Sequence, residues 1–112
     1  MSITFDEYQK QALTTALSSD NEVLDLAHWS LGIAGEGGEI AEKVKKYIRD
    51  NKATISDEQK KELAKEIGDV LWYLAVLANT LGVSFDEVAK MNLAKLASRK
   101  ERGMLTGSGD NR

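Results

Sequence analysis

The chain has 112 residues, 42% apolar and 29% charged, a composition that indicates one folded domain rather than a disordered segment. It has no cysteine, which excludes disulfides and thiolate metal sites, and no proline, which favours uninterrupted helices. Its 15 basic and 18 acidic residues are intermixed, giving a net charge of −3, so it lacks the basic surface typical of proteins that bind polymeric nucleic acid. A small anionic ligand is not excluded.

The N-terminal and apolar segments favour a cytoplasmic protein without a membrane partner. The first ten residues, MSITFDEYQK, contain neither an apolar signal core nor an arginine-rich presequence. The longest uncharged run, residues 70–85, is too short and too polar to span a bilayer. We therefore expect the cytoplasm as its location.

Three helix starts share one sequence pattern, a hydroxyl residue followed three positions later by Glu or Gln. The pattern occurs at Thr4, Ser56 and Ser84. In such a capping box the two side chains satisfy backbone amides that the first turn leaves unpaired. It predicts helices over residues 5–18, 57–81 and 85–102.

A further helix is predicted from an N-cap at Asp20 to residues 50–51, with a break around the glycines of residues 32–38. Gly82 is predicted to end the third helix in a left-handed conformation, which turns the chain sharply into the fourth. Since no window alternates as a strand does, the expected fold is an all-α four-helix bundle. We expect oligomerisation to complete its small core. We assign residues 1–103 to one helical domain and the Gly- and Ser-rich residues 104–112 to a flexible tail.

Two acidic pairs stand out because residues three apart share one face of a helix. They are Glu36 with Glu39, and Glu66 with Asp69. No Lys or Arg occurs between residues 67 and 89, so the second pair lacks a local cation as it enters an apolar stretch. If the two helices face each other, each like-charge pair at about 5 Å costs roughly 3 kcal/mol at an effective dielectric near 20. The pairs therefore indicate either a divalent metal site or two ordinary solvated faces.

The ligand types select among metals. Carboxylate oxygens suit Mg²⁺, with Mn²⁺ as the alternative, and such an ion keeps positions free for a phosphate-bearing ligand. A di-iron bundle needs Glu-x-x-His motifs, whereas the sole histidine is His28 and lies in no such motif. Nearby glycines either leave room for the metal and its ligand or permit close helix packing. These glycines are Gly35, Gly37, Gly38 and Gly68.

Other side chains are candidates for ligand contact. A polar stripe on the fourth helix suits phosphate oxygens, or is simply solvated. It comprises Asn92, Lys95, Arg99 and Arg102. Tyr73 lies one turn after Asp69 on the same face, within reach of a metal-bound ligand. Trp29 and His28 either stack on a base or pack in the interior.

The acidic motifs and their flanks resemble a known family. Glu36-x-x-Glu39, then Glu66-x-x-Asp69 within EIGDVLWYL, then NLAKLASRKERG, resemble the MazG-like all-α nucleoside triphosphate pyrophosphohydrolases over residues 30–103. The resemblance implies that the four acids bind Mg²⁺. It implies cleavage between the α- and β-phosphates of a (deoxy)nucleoside triphosphate, giving a monophosphate and pyrophosphate in nucleotide-pool housekeeping.

The resemblance also implies roles for other residues. Asn92 and Lys95 match a pair that contacts the ligand or its phosphates, Arg99 or Arg102 assists, and the protein is a homodimer or homotetramer. The ending GSGDNR is similar to that of some members, where it could close over the site. Glu39 is either a ligand or the group that positions or deprotonates the attacking water. Two alternatives stay open: a hydrolase of a phosphoribosyl- or sugar-nucleotide, and a non-catalytic helical module that a metal stabilises.

Overall fold

The computed structural model describes all 112 residues and contains four helices and no strand. The helices are α1 (Phe5–Leu13), α2 (Glu22–Asp50), α3 (Asp57–Thr80) and α4 (Phe85–Glu101). The all-α prediction is confirmed.

Two of the three predicted capping boxes are complete, and the third is half made. Thr4 with Glu7, and Ser56 with Gln59, exchange both hydrogen bonds. Ser84 Oγ accepts from the Glu87 amide at 3.2 Å without a return bond. A side chain of α1 also pairs with a backbone amide at the start of α4: Gln9 Oε1 accepts a hydrogen bond from the Phe85 amide (3.1 Å).

The N-terminal helices differ from the prediction in their bounds. α1 ends at Leu13 instead of residue 18. Just after Leu13, the hydroxyl of Thr14 donates to the carbonyl of Gln11 (2.6 Å). Threonine side chains compete in this way with the backbone hydrogen bonds of a helix. Asn21, not Asp20, caps α2, because its Oδ1 accepts from the Leu24 amide (3.0 Å).

The predicted break in α2 is wrong, since the helix runs unbroken through its glycines. Packing against α3 outweighs their low helix propensity. The two helices are antiparallel: Trp29 Nε1 donates to Thr80 Oγ1 (3.1 Å) at one end, and Tyr47 OH contacts Glu62 Oε2 (3.3 Å) at the other. This pairing brings the two acidic motifs to the same level.

The turn between α3 and α4 follows the prediction. Gly82 has φ +77°, and the amide of Val83 donates to the carbonyl of Ala78 (3.0 Å), as in a Schellman motif. The axes of α3 and α4 are bent by 99°. α4 therefore contacts α1 and α3 and makes no contact with α2.

Buried polar contacts join α1 to the start of α4. Asp6 and Asp86 each accept a hydrogen bond from the other's amide, at 2.7 and 3.1 Å. Gln9 is buried and donates to the carbonyl of Ala75 (3.0 Å) while accepting from Phe85. These bonds fix α4 across the end of α3.

The single chain has an open shape. Its radius of gyration is 16.9 Å, whereas a compact chain of this length has about 13 Å. The core is small, with Ala12, Ala75, Ala78 and Phe85 at its centre. Large apolar side chains such as Leu31 and Ile67 are 72% and 59% exposed. No single helix is long and apolar enough to cross a membrane, although α3 and α4 together pass that test as a bent pair.

Candidate active site

Three acidic side chains from the α2–α3 pair meet on one side of the molecule. Glu36 of α2 and Glu66 and Asp69 of α3 place carboxylate oxygens within 4.8 Å of one another. We call these three residues the acid cluster. The antiparallel pairing accounts for it. The ring of Tyr73 lies on Gly32, Glu36 lies one turn after Gly32, and Asp69 lies one turn before Tyr73. The cluster has the number and type of oxygen donors that suit a divalent ion.

Of the acid cluster, Glu36 has a carboxyl group whose surroundings disfavour its ionised form. The pKa of Glu36 is raised, first by its partial burial and then by the charges of Asp69, Glu66 and Glu39. Like charges at this separation disfavour the ionised form. A cation bound among them would remove this repulsion.

One cation lies near the acid cluster. Lys43 Nζ is 3.9 Å from Glu66 Oε1. Lys43 was not predicted as a partner of Glu66 because it comes from α2, whereas the residues that follow Glu66 along α3 contain no cation. Its position seven residues after Glu36, on the same helical face, is the signal that could have identified it. Its single charge does not balance three carboxylates.

Glu39 lies outside the acid cluster. Glu39 is exposed and its carboxylate is not among those within 4.8 Å of one another, although its charge contributes to raising the pKa of Glu36. Of the four predicted acids, three thus form the acid cluster, and Glu39 lies beside it. This arrangement favours different roles for Glu36 and Glu39.

The glycines near the acids border open space. A Cβ at Gly35, Gly37, Gly38 or Gly68 would meet no other atom within 4 Å. Within one chain they are therefore not needed for helix packing. Gly32 is different, since a Cβ there would lie 2.2 Å from Cε1 of Tyr73. The ring of Tyr73 rests on the backbone of α2 because residue 32 has no side chain.

The aromatic candidates lie mainly in the interior. Trp29 is 1% exposed, packs edge-on against Trp72 at 5.8 Å and stacks on His28 at 4.5 Å. This favours ordinary packing over base stacking for Trp29. Tyr73 is half-buried beside it. Tyr8 of α1 is a neighbour that no sequence motif indicated: the pKa of its hydroxyl is raised, chiefly by burial and also by the charge of Asp69.

The polar stripe of α4 lies far from the acid cluster of its own chain. Asp69 lies about 16 Å before the end of α3, and Lys95 lies about 15 Å into α4, taking 1.5 Å per residue. With the two axes bent by 99°, ideal helix geometry places these two residues roughly 20 Å apart. Asn92 and Arg102 are exposed, while Arg99 is buried beneath residues 104–112.

Comparisons with known proteins identify the family of the chain. Residues 27–104 match the MazG nucleotide pyrophosphohydrolase domain. Gene 37 protein of Mycobacterium phage L5 is 47% identical over 111 residues, covering 96% of this chain and 97% of that protein. YvdC of Bacillus subtilis strain 168, an uncharacterized protein, is 41% identical over 71 residues, covering 59% of this chain and 67% of its own. No solved structure matches. The matched region contains the acid cluster and all of α3 and α4, and the chain belongs to the MazG family of nucleotide pyrophosphohydrolase domains.

Proposed function

We propose that the protein hydrolyses a (deoxy)nucleoside triphosphate between its α- and β-phosphates, with Mg²⁺ as cofactor, releasing the monophosphate and pyrophosphate. The observation that carries the proposal is the acid cluster, which lies within the region that matches the family. Its all-oxygen donors fit Mg²⁺, or Mn²⁺ as the alternative, and the open space beside nearby glycines accommodates a ligand. The proposed setting is nucleotide-pool housekeeping in the cytoplasm.

Different residues have different roles in the proposed reaction. Glu36, Glu66 and Asp69 would hold the ion, which when bound supplies positive charge against the charge that develops on the phosphates. Glu39, exposed and one turn from Glu36, accepts a proton from the attacking water at its carboxylate. Lys43 stays beside Glu66 and limits the net negative charge of the site.

Product analysis tests the reaction directly. The purified protein is incubated with each common NTP and dNTP and Mg²⁺, beside a chelated control, and the products are separated by ion exchange. Monophosphate and pyrophosphate that disappear on chelation support the proposal. A diphosphate with inorganic phosphate would contradict α–β cleavage. Turnover confined to a phosphoribosyl- or sugar-nucleotide would support the alternative hydrolase, and metal-dependent melting without any turnover would support the binding module.

We further propose that the working form is a homodimer or homotetramer in which α4 of one copy serves the acid cluster of another. The support is the open shape of the chain, its exposed apolar side chains, and the separation of roughly 20 Å between Asp69 and Lys95. In this arrangement Asn92 and Lys95 contact the substrate's phosphates across the interface.

Mixing inactive variants tests the shared site. Asp69→Asn and Lys95→Gln are each expected to lose turnover, and a co-refolded mixture is expected to regain it, because mixed oligomers contain an intact site. A mixture as inactive as its components, in oligomers shown by mass spectrometry to be mixed, would contradict the arrangement.

A further inference from the structure

Residues 104–112, which we call the C-terminal segment, form a closed loop without helix. Gly107 and Gly109 have φ angles of 107° and 90°, which residues with side chains rarely adopt. The guanidinium of Arg112 holds the loop together by donating to three carbonyls of the same segment. These belong to Met104 (3.2 Å), Leu105 (3.2 Å) and Gly109 (2.6 Å).

The loop docks on the basic residues of α4. Asp110 Oδ1 accepts a hydrogen bond from Lys95 Nζ at 2.8 Å and lies 3.4 Å from Arg99 Nη2. Arg99 also donates to the carbonyl of Asp110, and Arg102 donates to the carbonyl of Arg112 (2.8 Å). In the free protein, the cations of the stripe are thus directed at the chain's own C-terminal segment.

Arg99 is left with an unsatisfied donor. Its side chain is buried, only 6% of the residue is exposed, and Nε has no hydrogen-bond acceptor. Buried guanidinium donors are normally all paired, so this site is one acceptor short. A phosphate group offers more oxygens and more charge than the single carboxylate that Asp110 supplies.

The contact that Asp110 makes is one that a stronger anion can replace. The side chain of Asp110 is 78% exposed, and exposed ion pairs contribute little to stability. A cavity of about 380 Å³ borders Lys95 and Asp110. It is lined by Val83, Val88, Met91, Asn92, Lys95 and Asp110.

We propose that Lys95 and Arg99 form a polyphosphate-binding site that Asp110 occupies in the free protein, so that a polyphosphate displaces the C-terminal segment when it binds. The proposal rests on the proposed function, in which Lys95 contacts the phosphates of the substrate, and it adds the regulation of that contact by Asp110. The segment is therefore a latch: its carboxylate substitutes for phosphate until the ligand arrives.

The test uses inorganic tripolyphosphate with a chelator, so that neither divalent metal nor turnover is involved. Calorimetry measures the affinity, and NMR follows the amides of Gly107 and Gly109 in the full-length, isotope-labelled protein. The result expected is saturable binding that shifts both glycine amides to positions typical of a mobile chain. Asp110→Asn is expected to bind tripolyphosphate about three- to five-fold more tightly, because it loses a competing ion pair of the strength typical of exposed pairs.

Matched variants separate this effect from general electrostatics. Glu101→Gln removes one negative charge at the same end of α4, and Lys90→Gln removes a positive charge about 140° around the helix from Lys95. Both are expected to leave the affinity unchanged, whereas Lys95→Gln weakens it. Unmoved glycine amides at saturation, or equal affinities of Asp110→Asn and the unaltered protein, would overturn the proposal. Because no hydrolysis is measured, that failure is distinct from failure of the proposed function.

Discussion

The acid cluster and the basic residues of α4 differ in how far groups of opposite charge compensate them. The acid cluster has three carboxylates near one ammonium, Lys43, and the pKa of Glu36 is raised, first by burial and then by the neighbouring negative charges. On α4, Lys95 and Arg99 already share the carboxylate of Asp110, whose pKa is lowered by its hydrogen bond to Lys95. The comparison shows that the fold leaves the acid cluster short of positive charge, whereas the C-terminal segment supplies a carboxylate to Lys95 and Arg99 of α4.

The largest expected effect is loss of turnover on altering the acids. Asp69→Asn removes a charge from the acid cluster and is expected to lower the rate of hydrolysis by about 10²- to 10³-fold, as does removal of one electrostatic contact in other active sites. Glu39→Gln should lower the rate as much yet keep the rise in melting temperature that Mg²⁺ causes, since Glu39 lies outside the cluster. Steady-state assays and thermal melts with and without Mg²⁺ measure both.

The exposed Glu58 at the start of α3 offers a matched control. Glu58→Gln should leave both the rate and the response to Mg²⁺ unchanged. A normal rate in Asp69→Asn would be incompatible with the proposed site.

The next effect concerns the packing of α2 against α3 beside the acid cluster. Gly32→Ala places a methyl group where the ring of Tyr73 now lies, so we expect a loss of about 1–3 kcal/mol in the free energy of unfolding, the range for overpacking. Gly35→Ala, one turn further along α2, meets open space and is expected to stabilise the chain by roughly 0.5–1 kcal/mol. Urea denaturation compares them, and equal stabilities would refute the account of Gly32.

A smaller effect is a gain in metal-free stability from Glu36→Gln. Because the pKa of Glu36 is raised in the folded chain, its stabilising contribution is present below the unfolded pKa and is lost as pH rises through the folded pKa. At neutral pH, the variant should therefore melt a few degrees higher than the unaltered protein, a shift that a modest change in stability produces. The gap should close as pH falls toward the ordinary range of a glutamate, and a gap independent of pH would count against the repulsion.

The smallest effect concerns docking of the C-terminal segment. Since the pKa of Asp110 is lowered, first by its hydrogen bond to Lys95, docking is favoured above the unfolded pKa and is lost as pH falls through the folded pKa. The amide of Gly109, followed by NMR, should shift with this transition while the helical circular dichroism stays constant. In Asp110→Asn the acid transition should be absent, and its persistence there would assign it to another group.

Local patterns predicted the elements of the fold well. Capping chemistry located the starts of α1, α3 and α4, and Gly82 marked the turn, because these signals depend on neighbouring residues alone. The unbroken course of α2 could not be inferred, because it depends on packing against α3. The role of Gln9, which joins three parts of the chain through buried hydrogen bonds, likewise has no local signal.

The site could be predicted only in part, for the same reason. Spacing identified Glu36, Glu66 and Asp69, since each pair shares a helical face. Spacing alone did not predict that Glu39 lies outside the acid cluster, because either residue of a pair three apart can be the one nearer α3. The contacts of Asp110 with Lys95 and Arg99 span 15 and 11 positions and depend on the path of an irregular loop. A Gly- and Ser-rich composition carries no information on that path, and the flexibility of residues 104–112 stays a prediction.

Mapping the bound metal tests the central claim most directly. Substoichiometric Mn²⁺, added to isotope-labelled protein, broadens the NMR signals of nuclei close to the ion. The account predicts broadening centred on Glu36, Glu66 and Asp69 and abolished by Asp69→Asn. Broadening scattered over the acidic surface, or unchanged in that variant, would contradict the assignment of the acid cluster as the metal site.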